Sequence, residues 1–238
     1  MAVHSNTKRT RQDHLKEARS LLQQFPRLPE TLEFSLVQGK ALSIRAKVQL
    51  ARETLLWRVQ DIAGTALTLY EDGKEIPAFI LTRAVFETAA MIFLIHERLE
   101  HIVKSQKLGD ISQFLSRVVA GASGDKREWA NGTPMTPIRI GKAVRRLEKK
   151  FRDTVGGRGL DSDYAFLSDF VHPSYFGTLM AYAEHKEKNG VITFNLGKAQ
   201  EQLRGRSTAV SLSSMGLDFA QHYYRELGSI LKELDTIL

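Results

Sequence analysis

The sequence predicts an all-α fold: a helical bundle of about six to eight helices around a long antiparallel helix hairpin, with at most one short extended segment. Three observations carry that expectation. Apolar residues recur at helical spacing over most of the chain. Residues 76–95, IPAFILTRAVFETAAMIFLI, form an apolar run interrupted by only two charges, Arg83 and Glu87. The only credible β signal is Val191-Ile192-Thr193-Phe194-Asn195, which follows Asn189-Gly190.

A chain of 238 residues is long enough for a sizeable core, and we read it as a basic flexible tail at 1–10 followed by a single helical domain at 11–238. With 42% hydrophobic and 26% charged residues, the composition is that of a globular protein and argues against gross disorder. There is no cysteine, which excludes disulfides and thiolate chemistry and fits a reducing compartment. The opening MAVHSNTKRTRQ has no apolar core of a secretory signal, so a cytoplasmic, bacterial-type protein is expected. The net charge of +7 is concentrated: residues 137–159 hold eight Lys or Arg against two acids, and residues 1–12 add three more cations. Local positive charge is the footprint expected for phosphate-rich partners.

In chain order, a first helix over about 11–24 places Leu15, Ala18, Leu21, Leu22 and Phe25 on one side, and Pro26 and Pro29 end it. Arg9 and His14 have R-x4-H spacing, which we read as coincidence in a polar, frayed position. A long helix over 40–71 follows, apolar at Leu42, Val48, Leu55, Leu56, Val59, Ile62, Ala66, Leu67 and Leu69. Its polar face carries Arg45, Arg52, Glu53, Arg58 and Asp61 and is expected to be solvated, with Arg52 or Arg58 available to turn toward a site. Asp72-Gly73 makes a turn, and Pro77 suits the first turn of the next helix. So short a connection makes the two helices an antiparallel hairpin.

The third helix carries the apolar run and is predicted to have no solvent face. Its charges favour a protein core over a bilayer, because an ion at the membrane centre is costly and no aromatic belt or second span accompanies it. No membrane partner is expected. The stripe through Arg83 and Glu87 continues through Ile76, Ile80, Ala90 and Leu94, so the two charges interrupt a buried face. Arg keeps its charge, and Glu87 at i+4 is within reach. They form a structural ion pair or they line a pocket. His96 and His101, at i,i+5, do not share a face well, and no metal site is expected.

Asp110 is placed to cap a shorter helix with Phe114, Leu115, Val118 and Val119 inward, and 121–136 is read as a polar loop. Thr136-Pro137 then starts a sharply divided helix. Ile140, Ala143, Val144, Leu147 and Phe151 take one arc; Arg139, Lys142, Arg145, Arg146, Lys149, Lys150 and Arg152 take the other. This is a soluble outer face or a phosphate-tracking helix. Gly156-Gly157-Arg158-Gly159 lacks the Lys-Ser/Thr of a P-loop and is read as a connector.

A further helix, DYAFLSDFVHPS, sets Tyr164, Phe166, Leu167, Phe170 and Val171 inward, with Ser168 and His172 together at its flank. His172 stabilises the helix C-terminus or serves as a proton-transfer group. The R-x3-E helix (Arg83, Glu87) combined with the Leu167-Ser168-x-x-Val171-His172-Pro173-Ser174 segment resembles a bacterial all-helical family of unknown function, over the central two thirds of the chain. More distantly, it is similar to the HEPN helical bundles, many of them metal-independent ribonucleases that use Arg and His from one R-x4-6-H motif. Here Arg83 and His172 come from different helices. Residues 174–185 read as another helical piece, and the chain returns to helix from about 198 to its end, where FAQHYYRELGSILKELDTIL is amphipathic enough to pack on the hairpin or on a second copy of the chain. The small residues of STAVSLSSMG suit close helix packing.

The leading expectation is therefore a phosphate-ligand or RNA-directed activity, with His172 as acid/base, Arg83 on phosphate, and Glu87 and Ser168 orienting them, and with no cofactor. The alternative is a non-catalytic nucleic-acid-binding or protein-interaction adaptor using the basic helix 139–152.

Overall fold

A computed structural model of the chain describes residues 10–37, 41–120, 138–155, 160–172, 177–178, 181, 183–188, 191–196, 203 and 208–234. Among these lie seven α-helices: α1 (Arg11–Gln23), α2 (Ile44–Glu71), α3 (Glu75–Ser105), α4 (Ile111–Ala120), α5 (Ile140–Val155), α6 (Leu160–Asp169) and α7 (Thr208–Leu234). The all-α expectation is met. Arg9, the loop at 121–136, the Thr136-Pro137 helix start and the glycine-rich connector at 156–159 lie outside the described residues.

Two small antiparallel ladders accompany the helices. β1 (Leu36–Val37) pairs with β2 (Ala41–Leu42), so the helix predicted from residue 40 begins only at Ile44. Ser43 accounts for that start, because its hydroxyl accepts the Ala46 N–H at 3.1 Å as an N-cap. The extended segment predicted at 191–195 is β4 (Val191–Leu196), and it pairs with β3 (Ala183–Lys188), part of which was expected to be helical. Its register matches Ala183 with Leu196 and Lys188 with Val191. A lone strand leaves its backbone groups unmatched, so the β signal at 191 requires a second strand that composition alone did not mark.

The contacts divide the chain into two compact units, one of residues 1–25, 61–86 and 159–217, the other of residues 26–60, 87–158 and 218–238. Three of the five boundaries fall inside α2, α3 and α7. In the first unit, Phe79 of α3 packs against Phe166 and Phe170 with ring centroids 5.5 and 5.1 Å apart, and Tyr70 of α2 stands at 6.1 Å. Tyr70, Thr82 and Ser213 are buried polar residues joined by two 2.8 Å hydroxyl contacts, which satisfy groups that would otherwise be stranded in an apolar interior. Helix α7 approaches α3 closely here: a Cβ at Gly216 would lie 3.1 Å from Val85 and 3.3 Å from Phe86, as the small residues of this stretch anticipated.

Helix α1 joins the same unit through charge. Thr10 and Asp13 form a reciprocal capping box, which holds the Asp13 carboxyl below its usual range. Arg11 donates to Glu75 at 2.7 Å and to the Tyr70 carbonyl, and Arg19 makes a two-pronged contact with Glu71 at 2.9 and 2.8 Å.

In the second unit, Val48, Leu56 and Val59 of α2, Ile92, Ile95 and Leu99 of α3, Ile111 and Leu115 of α4, Leu147 of α5 and Leu227 of α7 are buried. The antiparallel course of α2 and α3 is seen in each unit separately, in Tyr70 against Thr82 and in Arg58, whose Nε lies 3.3 Å from Thr88 Oγ1. Their connection is a Schellman turn: Lys74 N–H donates to the Leu69 carbonyl, Gly73 N–H to that of Tyr70, and Gly73 has φ +71°.

Helix α3 differs from expectation in one respect. An 18-residue window has mean hydropathy 1.9, long and apolar enough to cross a membrane, yet 67% of that window is buried within the protein. It has a partly exposed stripe, with Ile80 at 37% exposure and Leu81, Ala84, Glu87 and Met91 half-buried. Arg83 is also half-buried, so neither charge sits in a closed interior.

Because Gly73 occupies the left-handed region, Gly73→Ala should lower stability by about 1 kcal/mol, measured by chemical denaturation, with the helical circular dichroism of the folded state unchanged.

Candidate nucleic-acid interface

Of the four residues predicted to form a catalytic cluster, Arg83 and Ser168 each contact Tyr164 of α6. Arg83 meets α6, its Nε and Nη2 lying 3.4 and 3.3 Å from the Tyr164 hydroxyl, with the guanidinium 5.4 Å from the ring centroid. Ser168 donates its hydroxyl proton to the Tyr164 carbonyl at 2.7 Å, a local back-bond within α6. His172 follows α6 in a bend and is exposed. Glu87 belongs to the other compact unit. The residue of α6 that Arg83 touches is thus Tyr164, which the periodicity placed in the apolar arc; its phenol was the available signal, since a Tyr hydroxyl near a core requires a polar partner.

A second polar cluster lies in the other unit, on the α2 face expected to be solvated. Glu53 is 4% exposed. Arg52 donates to it at 2.6 Å and to the Tyr224 carbonyl at 3.1 Å, and stacks 3.6 Å over the Tyr224 ring. The Tyr224 hydroxyl closes the set by donating to Glu53 at 3.0 Å. Burial pushes the Tyr224 phenol up to about 12, with Arg52 opposing and Glu53 adding to the shift. Each charge is matched inside the cluster, so its arrangement is that of a packing device.

His96 is half-buried with its ring 5.2 Å from that of Tyr223, while His101 is exposed. Burial holds the His96 imidazole below its ordinary value; Glu100 and Glu226 pull it up, and His222 and Lys150 push it down. Among the described residues, no three His, Cys, Asp or Glu side chains are grouped to hold a metal ion.

Helix α5 is divided as its sequence implies. Ala143, Val144 and Leu147 are buried, and Ile140 and Phe151 are half-buried, with the Phe151 ring 5.3 Å from Phe219. Arg139, Lys142, Arg145, Arg146, Lys149, Lys150 and Arg152 are all exposed. The one acid within this run, Glu148, is 3% exposed, turned to the packed side. Among the described side chains of 139–152, the outward face therefore carries charge of one sign. Arg146 is tied to Glu97 of α3 at 3.1 Å.

Two open cavities flank Arg98 and Arg146. One, of about 560 Å³, has mixed charge, with Glu97 and Asp110 facing Arg98, His101, Lys107 and Arg146. The other, of about 450 Å³, lies among α3, α4 and the start of α5, and its charged wall is entirely cationic among the described residues: Arg98, Arg117, Arg139, Lys142 and Arg146. Asp110 stands at the N-cap position of α4, its carbonyl accepting the Phe114 N–H at 3.0 Å, while its carboxylate accepts from Arg98 at 3.0 Å; Arg98 lies 4.2 Å over the Phe114 ring. The basic surface thus continues from α5 onto α3 and α4 within one compact unit, an extension that helix periodicity did not foretell.

The chain matches no protein-family model, and comparison with curated proteins and with solved structures likewise yields no match.

Two outcomes follow from the buried polar groups. Glu53→Ala removes the carboxylate that pairs with Arg52 and accepts from the Tyr224 hydroxyl, and should cost about 3–5 kcal/mol in denaturant unfolding, as broken buried pairs do. For His96, the folded state favours the neutral ring, so its contribution to stability is full above the ordinary value of 6.5 and is lost as pH falls through that value toward the depressed one. The thermal midpoint of the wild type should consequently fall more steeply with acidification than that of His96→Gln.

Proposed function

We propose that this protein binds a phosphate-rich polyanion, RNA in the first instance, along the outward face of α5. The observation that carries the reading is the one-signed character of that face among the described side chains of 139–152: seven exposed cations, with Glu148 turned inward. Ordinary solvated helix faces intersperse both signs, and a uniform cationic face repels itself unless an anion lies against it. A helix face of this kind contacts phosphates without reading bases, so affinity should depend strongly on salt and weakly on sequence. Arg98 and Arg117 add to the same surface from the neighbouring helices.

A nuclease reading has one observation in its favour, the contact of Arg83 with the helix that carries Ser168. It requires His172 to act with Arg83 on the same phosphate.

Both readings are tested by titrating fluorescent single-stranded RNA with the protein in EDTA over a range of salt. The wild type should bind with a log–log salt slope of about −0.7 for each phosphate neutralised, and Arg145→Glu/Lys149→Glu should weaken binding at least roughly tenfold and flatten the slope. His172→Ala should bind like the wild type. Binding unaffected by the double charge reversal in a folded variant defeats the polyanion reading. RNA cleavage that Arg83→Ala and His172→Ala both abolish establishes the nuclease.

A further inference from the structure

We infer that the all-cationic cavity among α3, α4 and the start of α5 is a subsite for a terminal phosphate carried by a nucleobase-bearing ligand, either a free nucleotide or the phosphorylated end of an RNA strand. The RNA form of this inference rests on the polyanion reading above; the free-nucleotide form does not.

Charge sets the class of anion. Arg98 and Arg146 each have a carboxylate partner, Asp110 and Glu97, and both acids face the neighbouring cavity instead of this one. Arg117, Arg139 and Lys142 complete the wall, and no carboxylate lines it among the described residues. Three helices therefore converge cations on a space of about 450 Å³. An internucleotide diester brings one negative charge to such a site, and a terminal phosphate brings about two near neutral pH. The more highly charged group is the better match, and the arginines offer the paired donors that a phosphate with several free oxygens accepts. Arg139 stands at the amino end of α5, where the helix dipole adds to the positive potential.

The uncharged wall sets what the phosphate is attached to. Leu94, Phe114, Ile138 and Ala143 line the same cavity, giving a floor that inorganic phosphate would not use. The Arg98 guanidinium lies 4.2 Å over the Phe114 ring and is anchored by Asp110, while its side chain remains 37% exposed. A guanidinium fixed in this way presents a planar surface on which a base stacks. The volume lies within the range of small-ligand pockets, enough for one nucleotide unit and not for a duplex. A cation-lined pocket beside a cationic helix face then separates two tasks: α5 tracks the strand, and the cavity recognises its end.

The test compares short RNAs of one sequence bearing a 5′-phosphate, a 3′-phosphate or hydroxyls at both ends, together with AMP and adenosine, measured by fluorescence anisotropy and calorimetry on the full chain. One of the phosphorylated ends should bind about tenfold or more tighter than the hydroxyl RNA, the increment expected of charge-assisted contacts. Arg139→Ala/Lys142→Ala should bring that ratio close to one. Arg145→Ala/Lys149→Ala, outside the cavity, should weaken all RNAs together and preserve the ratio. AMP binding that adenosine lacks and Arg139→Ala/Lys142→Ala removes, with no RNA bound, assigns the cavity to free nucleotides and sinks the RNA reading alone. Equal affinity for all three RNAs together with no AMP binding overturns the subsite, while the α5 reading stands or falls on its own charge reversal. Circular dichroism and thermal midpoints matched to the wild type show that both alanine pairs fold.

Discussion

Burial of α3 is the constraint on which the rest of the structure depends. A helix with Phe79, Phe86, Ile92 and Ile95 almost wholly buried must be enclosed by other elements, since each such side chain contributes about 1.5–3 kcal/mol when removed from water. In the unit containing its first turns, Phe166 and Phe170 close on Phe79; in the unit containing its later turns, Tyr223 stacks near Phe93 at 4.9 Å. The polar residues admitted to this environment are paid for locally by hydrogen bonds. Tyr70, Thr82 and Ser213 share theirs, and burial holds the Tyr70 phenol above its usual value.

Two different treatments of charge follow. Inside each unit, ions are matched: Arg11 with Glu75 in one, Arg52 with Glu53 and Tyr224 in the other. Removing a charge from water is costly, and only a partner with good geometry offsets it. On α5 the cations stay in water, Arg146 with Glu97 beside it, and Glu148 is withdrawn from among them. Buried charge is thus compensated within its unit, whereas the exposed charge of 139–152 is of one sign among the described side chains.

The residues of the candidate interface were largely legible in the sequence because α5 is a local object. Helical geometry alone sends Arg139, Lys142 and Arg145 to one side and Ala143, Val144 and Leu147 to the other. The cavity beside it was not legible, because Arg98, Arg117 and Lys142 come from three helices and share no spacing. The same reason hid the Arg52–Glu53–Tyr224 cluster. Arg52 and Tyr224 are 172 residues apart, and an acid on a polar face gives no sign that a distant helix will cover it.

Periodicity and turn chemistry by themselves determined the helical class, the hairpin through Gly73, the inward arcs of α5 and α6 and the apolar demand of α3. These follow from backbone geometry, which acts within a few residues. Tertiary structure decided that Glu53 would be buried, that Arg83 would meet Tyr164 across two helices while His172 stayed in solvent, that β4 would find a partner in β3, and that the cations of three helices would face one cavity. Those outcomes depend on which surfaces meet, and a surface's partner is chosen by the packing of the folded chain as a whole.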